Sequence, residues 1–325
     1  MDPKYIFKRF LYGFVAFFIS VSITFALLHL MPGNYLDYIL PYLADKNPEA
    51  SLLFEQQFGL DKPLLEQYFI YLSNILHGNW GYSIQYGAPV LKIIGEELYW
   101  TLIILLPATL LSIVIGIFLG AYLGWKNGSK VDLLTLNIMV FIRSIPSYWW
   151  AITVVLIFGY YLKLFPLGGF VSLSALDEGI SNLDILHHAA LPILTLTLCS
   201  IPGHYYLMRN SILFTIGEDY ILTARAKGLA EKTILFKHAL KNAMLPMTTM
   251  ITLEFAYMLT GSIFIETIFS WPGMGLLTFG AISARDLPLV QGIFLIDTLM
   301  VIIANLSADM LYSIIDPRVK VEENV

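Results

Sequence analysis

The stretch LYWTLIILLPATLLSIVIGIFLGAYLG, residues 98–124, runs for 27 residues without a charged side chain. A helix rises about 1.5 Å per residue, and the hydrocarbon core of a bilayer is roughly 30 Å thick, so about 20 apolar residues suffice to cross it. Comparable apolar runs lie at 10–30, 133–162, 189–208, 247–269 and 289–314, with polar breaks between them. Six runs predict an all-α polytopic membrane protein with six transmembrane helices. Composition agrees, because 57% of the 325 residues are hydrophobic, only 13% are charged and mean hydropathy is +0.71. That is more apolar surface than a water-soluble domain can hide.

Lys4, Lys8 and Arg9 precede the first run, as in a signal peptide, but the run is longer than a signal core and no Ala-x-Ala site follows. It therefore reads as an uncleaved spanning helix that stops at Met31-Pro32-Gly33. The predicted organisation is a terminus and first helix over 1–31, an external segment over 32–97, a five-helix core over 98–315 and a tail over 316–325. Within the external segment, acidic residues such as Asp37, Glu55 and Glu66 alternate with aromatics such as Tyr68, Phe69 and Trp80. This mixture predicts a small folded subdomain, since a flexible linker is poor in aromatics.

Lys and Arg accumulate in short cytoplasmic loops, and that bias sets orientation. With both termini inside, thirteen basic residues face the cytoplasm, and five (Lys46, Lys62, Lys92, Lys163 and Arg285) face out. Segment 32–97 is then external, and the basic loop 214–246 is cytoplasmic.

Other chemistries find little here. Cys199 is the single cysteine, which excludes an internal disulfide and a four-thiolate zinc site. Neither a His-Glu-x-x-His nor a Gly-x-Ser-x-Gly motif occurs, and the adjacent His187 and His188 would diverge on a helix, so no metal site is expected. There is also no Gly-x-x-x-x-Gly-Lys-Ser/Thr loop, so ATP hydrolysis by that chemistry has to come from another chain. Net charge is −5 and the basic residues are dispersed, which argues against nucleic acid. Ion-coupled carriers are the competing class, and many of them show repeated halves and broken helices; neither is expected from this sequence.

The cytoplasmic stretch EDYILTARAKGLAEKTILFKHALKNAMLP, residues 218–246, is too polar to span but helical in pattern on both sides of Gly228. Tyr220, Thr223, Ala224 and Lys227 recur at helical spacing on the first half, and Ile234, Leu235, His238 and Leu245 form an apolar stripe on the second. Gly228 can take the positive φ of a helix end, and Pro246 is expected to open the next span. The ARAKGL core and the following HALKNAMLP resemble the coupling loop of permeases of the dipeptide/oligopeptide/nickel ABC importer family. FGLDKPLLEQYFIYLSNILHGNWGYSI (58–84), SIPSYWWA (144–151), LFPLGGF (164–170), ETIFSWPGMG (266–275), RDLPLVQG (285–292) and LYSIIDPRV (311–319) resemble the same family in the same order. The chain departs from the general importer pattern in lacking a literal Glu-Ala-Ala and in placing its Leu-Pro later after the glycine.

The resemblance implies a type I importer permease that is not itself an enzyme and binds no cofactor, with ATP and magnesium held by partners. Those partners would be a second homologous permease, two ATP-binding subunits and an external solute-binding protein. Related systems carry dipeptides, longer peptides, glutathione, nickel complexes or sugars. It also implies that Ala224, Arg225, Ala226, Lys227 and Gly228 form the contact core for an ATPase, with Tyr220 on the same helix and Glu231 at the rim. The plainer reading is a solvated basic loop that only sets topology.

Charges in hydrocarbon cost a few kcal/mol each, so Arg143, Glu254 and Asp297 are expected either to line a solvated pathway or to pair with other groups. Glu266, beside Trp271 and Pro272, is expected to serve as an external gate or a structural cap.

Overall fold

In hydrocarbon, backbone N–H and C=O groups must bond within the protein, so an apolar run of spanning length is driven to helix. The computed structural model describes residues 3–30, 59, 62–83, 85–173, 175, 179–258 and 261–315. The expectations for 32–58 and for the tail 316–325 lie outside the described residues. The chain divides into two compact units: residues 1–99 with 277–303, and residues 100–276 with 304–325.

The first unit contains α1 (Pro3–Leu30), α2 (Leu64–Leu76) and a two-stranded antiparallel hairpin of β1 (Tyr82–Ser83) and β2 (Ala88–Pro89). To these it adds the start of α3 (Val90–Trp125) and much of α11 (Leu287–Ile315). Val21 and Phe25 of α1, Tyr71 and Ile75 of α2, and Leu295 of α11 make its core. The described part of segment 32–97 thus carries α2, the hairpin and the start of α3. A buried carboxylate joins hairpin to helix: Asp286 accepts from Ser83 Oγ at 2.5 Å, from Gln85 N at 2.9 Å and from Leu289 N in the first turn of α11 at 3.3 Å.

The second unit is built on α3 and α6 (Asn182–Ile216). Gly116, Gly120 and Gly124 lie four apart on α3 and face α6; a Cβ at Gly120 would sit 2.6 Å from the Tyr205 carbonyl oxygen, and one at Gly124 would sit 3.0 Å from that of Arg209. Small residues let two membrane helices touch backbone to backbone, which substitutes packing for the absent hydrophobic drive. Around this pair lie α4 (Lys130–Ser144), α5 (Ser147–Tyr161), α7 (Asp219–Ala226) and α9 (Ile263–Ile268). A long rod, α8, consists of Glu231–Thr233, the π-helical Ile234–Ala239 and Leu240–Tyr257. The short α10 (Met274–Ser283) follows α9.

Several expectations need correction. The run 133–162 is a pair of helices, α4 and α5, bent by 96° at the intervening Ile145-Pro146. Proline disfavours the helical region for the residue before it, and Ile145 accordingly adopts φ −97°, ψ 128°. The run 247–269 is also interrupted, since α8 ends at Tyr257 and α9 begins only at Ile263, after Gly261 at φ 74°. Pro246 lies inside α8 and does not open a span. Among the described residues, four helices are long and apolar enough to cross a membrane, and the bent pair raises the number to five. The predicted fifth span, 247–269, is not one of them. Broken helices therefore do occur, so their supposed absence no longer separates this chain from ion-coupled carriers.

Candidate coupling elbow and external turn

The helical pattern of 218–246 becomes a rigid elbow between α7 and α8. Gly228 has φ 75°, its amide donates to the Arg225 carbonyl at 2.9 Å, and the Leu229 amide donates to that of Ala224 at 3.4 Å. This is the Schellman ending, in which a left-handed residue lets two orphan carbonyls be satisfied. Ile221 and Ala224 turn inward onto Ile234, Leu235 and Ala239 of α8 and onto Met208 and Ile212 of α6. Ala224, expected in the contact core, is only 6% exposed and packs against the chain's own interior. Arg225, Ala226, Lys227, Gly228 and Glu231 are exposed.

Two struts stiffen the elbow. Arg225 donates Nε to Glu231 Oε1 at 3.0 Å and Nη2 to Oε2 at 3.3 Å, and its guanidinium lies 5.3 Å from the Trp125 ring centroid. Asn242 Nδ2 donates to Tyr220 Oη at 2.7 Å. The rim charge Glu231 is thus paired with the arginine across the turn. Such exposed pairs contribute about 0–1 kcal/mol, so here they set geometry more than stability.

The turn between α9 and α10 is organised by Glu266, which is fully buried. Its Oε1 accepts from Ser262 N at 3.0 Å and Thr101 Oγ1 at 3.3 Å, and its Oε2 accepts from Leu276 N at 2.9 Å. Thr101 Oγ1 in turn accepts from Met274 N at 2.7 Å. The chain can close on this carboxylate because residue 273 is glycine: a Cβ there would lie 2.6 Å from Thr101 Oγ1 and 2.7 Å from Glu266 Oε2. Trp271, also fully buried, donates Nε1 to the Trp100 carbonyl at 3.0 Å and packs edge-on against that indole, with Pro272 following it. Buried and satisfied from several sides, this is the geometry of a structural cap.

Arg143 and Glu254 belong to the second unit. Arg143 is on the last turn of α4, beside the bend and exposed, with its guanidinium 5.9 Å from the Tyr206 ring centroid. Glu254 Oε2 lies 2.6 Å from His204 Nε2. Asp297 belongs to the other unit, and its Oδ1 is buried without a hydrogen-bond partner among the described residues.

Residues 112–321 match the family model described as the binding-protein-dependent transport system inner membrane component, and residues 3–110 match the model of its N-terminal region. The chain belongs to this family. A Brucella suis protein named as a peptide permease is 37% identical over 98% of the chain and 99% of its own length. The dipeptide transport system permease of Escherichia coli K12 is 33% identical over 93% of the chain and 95% of its own length. The oligopeptide transport system permease of Bacillus subtilis is 32% identical, with 97% and 99% covered.

In this permease, the elbow and the turn at Glu266 were both legible as motifs, while their anchors were not. Arg209, two turns or so before the end of α6 at about 3.6 residues per turn, is buried and paired with Asp132 of α4. His204 drew no notice inside its apolar run, although an isolated ionisable residue in such a run is itself a signal of a partner.

Gly228→Val is expected to destabilise the elbow by about 1–2 kcal/mol, the cost of a left-handed L-residue. Gly228→Asn should cost less. Nothing lies within 4 Å of a Cβ at this position, so backbone conformation alone carries the penalty. Hydrogen exchange of the amides from 223 to 232 measures it.

Proposed function

We propose that this permease forms half of the translocation pathway of an ATP-driven peptide importer, with the elbow around Gly228 receiving the stroke of a separate ATPase. One observation carries the reading: α8 leaves the exposed elbow and continues unbroken to Tyr257, within the apolar part of the chain. A stiff helix transmits a rigid-body displacement that a loose loop would absorb. The peptide assignment draws on relatives named for peptide, dipeptide and oligopeptide transport.

In this reading both termini are cytoplasmic, and Lys227, Ala226 and Arg225 face the ATPase. A second, homologous permease completes the pathway, and two ATP-binding subunits hold ATP and magnesium. A solute-binding protein lands on the external side, where the segments 37–97 and 271–288 are the candidates for its contacts.

The test is reconstitution in liposomes with the second permease, the ATPase subunits and the binding protein. Labelled di- or oligopeptide should accumulate only while ATP is hydrolysed. Uptake by this chain alone in an ion gradient overturns the importer reading, and ATP-dependent uptake of a nickel complex or sugar without peptide uptake overturns the substrate class.

A further inference from the structure

The far half of the coupling rod is tied to α6 by the His204–Glu254 contact. His204 is wholly buried, and the Glu254 side chain is a quarter exposed. The ring's Nδ1 lies 3.2 Å from the Ser200 carbonyl oxygen, which can only accept, so Nδ1 carries a proton. The 2.6 Å contact between Nε2 and Oε2 requires a second proton between them. With both protons present the pair sums to zero charge, whether it is imidazolium with carboxylate or imidazole with carboxylic acid. The helices close tightly around the ring: a Cβ at Gly116 of α3 would lie 2.4 Å from His204 Cβ, and one at Gly203 would lie 3.2 Å from Met250 Cε. Elsewhere in the same unit Arg209 pairs with Asp132, and Arg143 lies over the Tyr206 ring.

We propose that His204 and Glu254 form an electrically neutral, proton-sharing joint that fixes the coupling rod α8 on α6, with His204 as a positioning residue for the transport stroke. The joint sits on the same helix that starts at the elbow, six turns or so further along at about 3.6 residues per turn. The bond adds a polar tie to the apolar packing that already seats the elbow and α8 on α6. Glu254 is then not a standing negative charge offered to the solute. The inference rests on the coupling role proposed above.

The full complex, reconstituted with binding protein and peptide, is assayed for peptide uptake and ATP hydrolysis together. Glu254→Gln should stay within about two-fold of wild type in ATP consumed per peptide, because an amide N–H then donates to the bare Nε2 and one hydrogen bond replaces another. Glu254→Leu and His204→Leu should each raise that ratio about five-fold or more, the low end of coupling changes between linked sites, and the double variant should resemble either single one. The KM for the loaded binding protein should not move.

Loss of uptake in Glu254→Gln with retention in Glu254→Asp would show that negative charge is the function and overturn the joint. So would wild-type coupling in the leucine variants. If a leucine variant does not assemble, Glu254→Gln decides alone: preserved coupling supports the joint and lost coupling sinks it. Failure of the wild-type complex to couple uptake to ATP would instead strike the importer reading.

Discussion

Arg209→Ala is expected to destabilise the permease by about 3–5 kcal/mol, the cost of leaving one member of a buried ion pair without its partner. Asp132 is fully buried and accepts Arg209 Nε at Oδ1 at 2.8 Å and Nη2 at Oδ2 at 2.7 Å, a two-pronged match between guanidinium and carboxylate. Arg209 Nη2 also donates to Asn127 Oδ1 at 2.9 Å, and the Gly128 amide donates to Asp132 Oδ2 at 3.0 Å. The pair therefore holds the turn between α3 and α4 as well as the packing of α4 on α6. Removing both charges should be milder than removing one: Asp132→Leu with Arg209→Met restores much of the loss, because no lone charge remains buried. Thermal unfolding of the purified permease, followed by monodispersity on gel filtration, reads both results. Equal stability of Arg209→Ala and wild type would dismiss the pair as an anchor.

The second large effect is expected at Glu266. Glu266→Ala leaves the Ser262 and Leu276 amides and the Thr101 hydroxyl without their acceptor, and buried orphan groups cost about 1–3 kcal/mol each. Relaxation recovers part of this, so a net loss of about 3–5 kcal/mol is expected, at the severe end for a single substitution. Glu266→Gln should fall between, since the amide oxygen still accepts while its nitrogen faces an N–H donor. If Glu266 contacted solute instead, both variants would keep wild-type thermal stability and lose transport only. Limited proteolysis across 258–276, with thermal unfolding, separates the two outcomes.

The cap also illustrates how far a motif can be read. ETIFSWPGMG drew its glutamate, tryptophan and proline together as one candidate, and the structure buries Glu266 and Trp271. What the motif could not reveal is that Thr101, 165 positions away in sequence, completes the carboxylate's shell. The elbow was more legible, because a glycine ending a helix is a local property of the backbone, and Gly228 has the positive φ that its residue type predicts. Its neighbour Ala224 was misassigned for the converse reason. Periodicity says that a residue shares a face with Tyr220 and Lys227, but which surface covers that face depends on where α8 returns.

Sequence alone determined that the chain is a bundle of apolar helices in a membrane, because hydropathy and run length are properties of the chain itself and hydrocarbon admits little else. It also determined the elbow, whose glycine acts within one turn. Only the tertiary structure decided the 96° bend of α4 against α5, the interruption before α9, and the partners of the buried charges. Arg209 finds Asp132 across 77 residues and Glu254 finds His204 across 50. An ionisable side chain in an apolar run announces that it needs a partner. Which partner it meets is set by the packing of helices whose contacts are made through space.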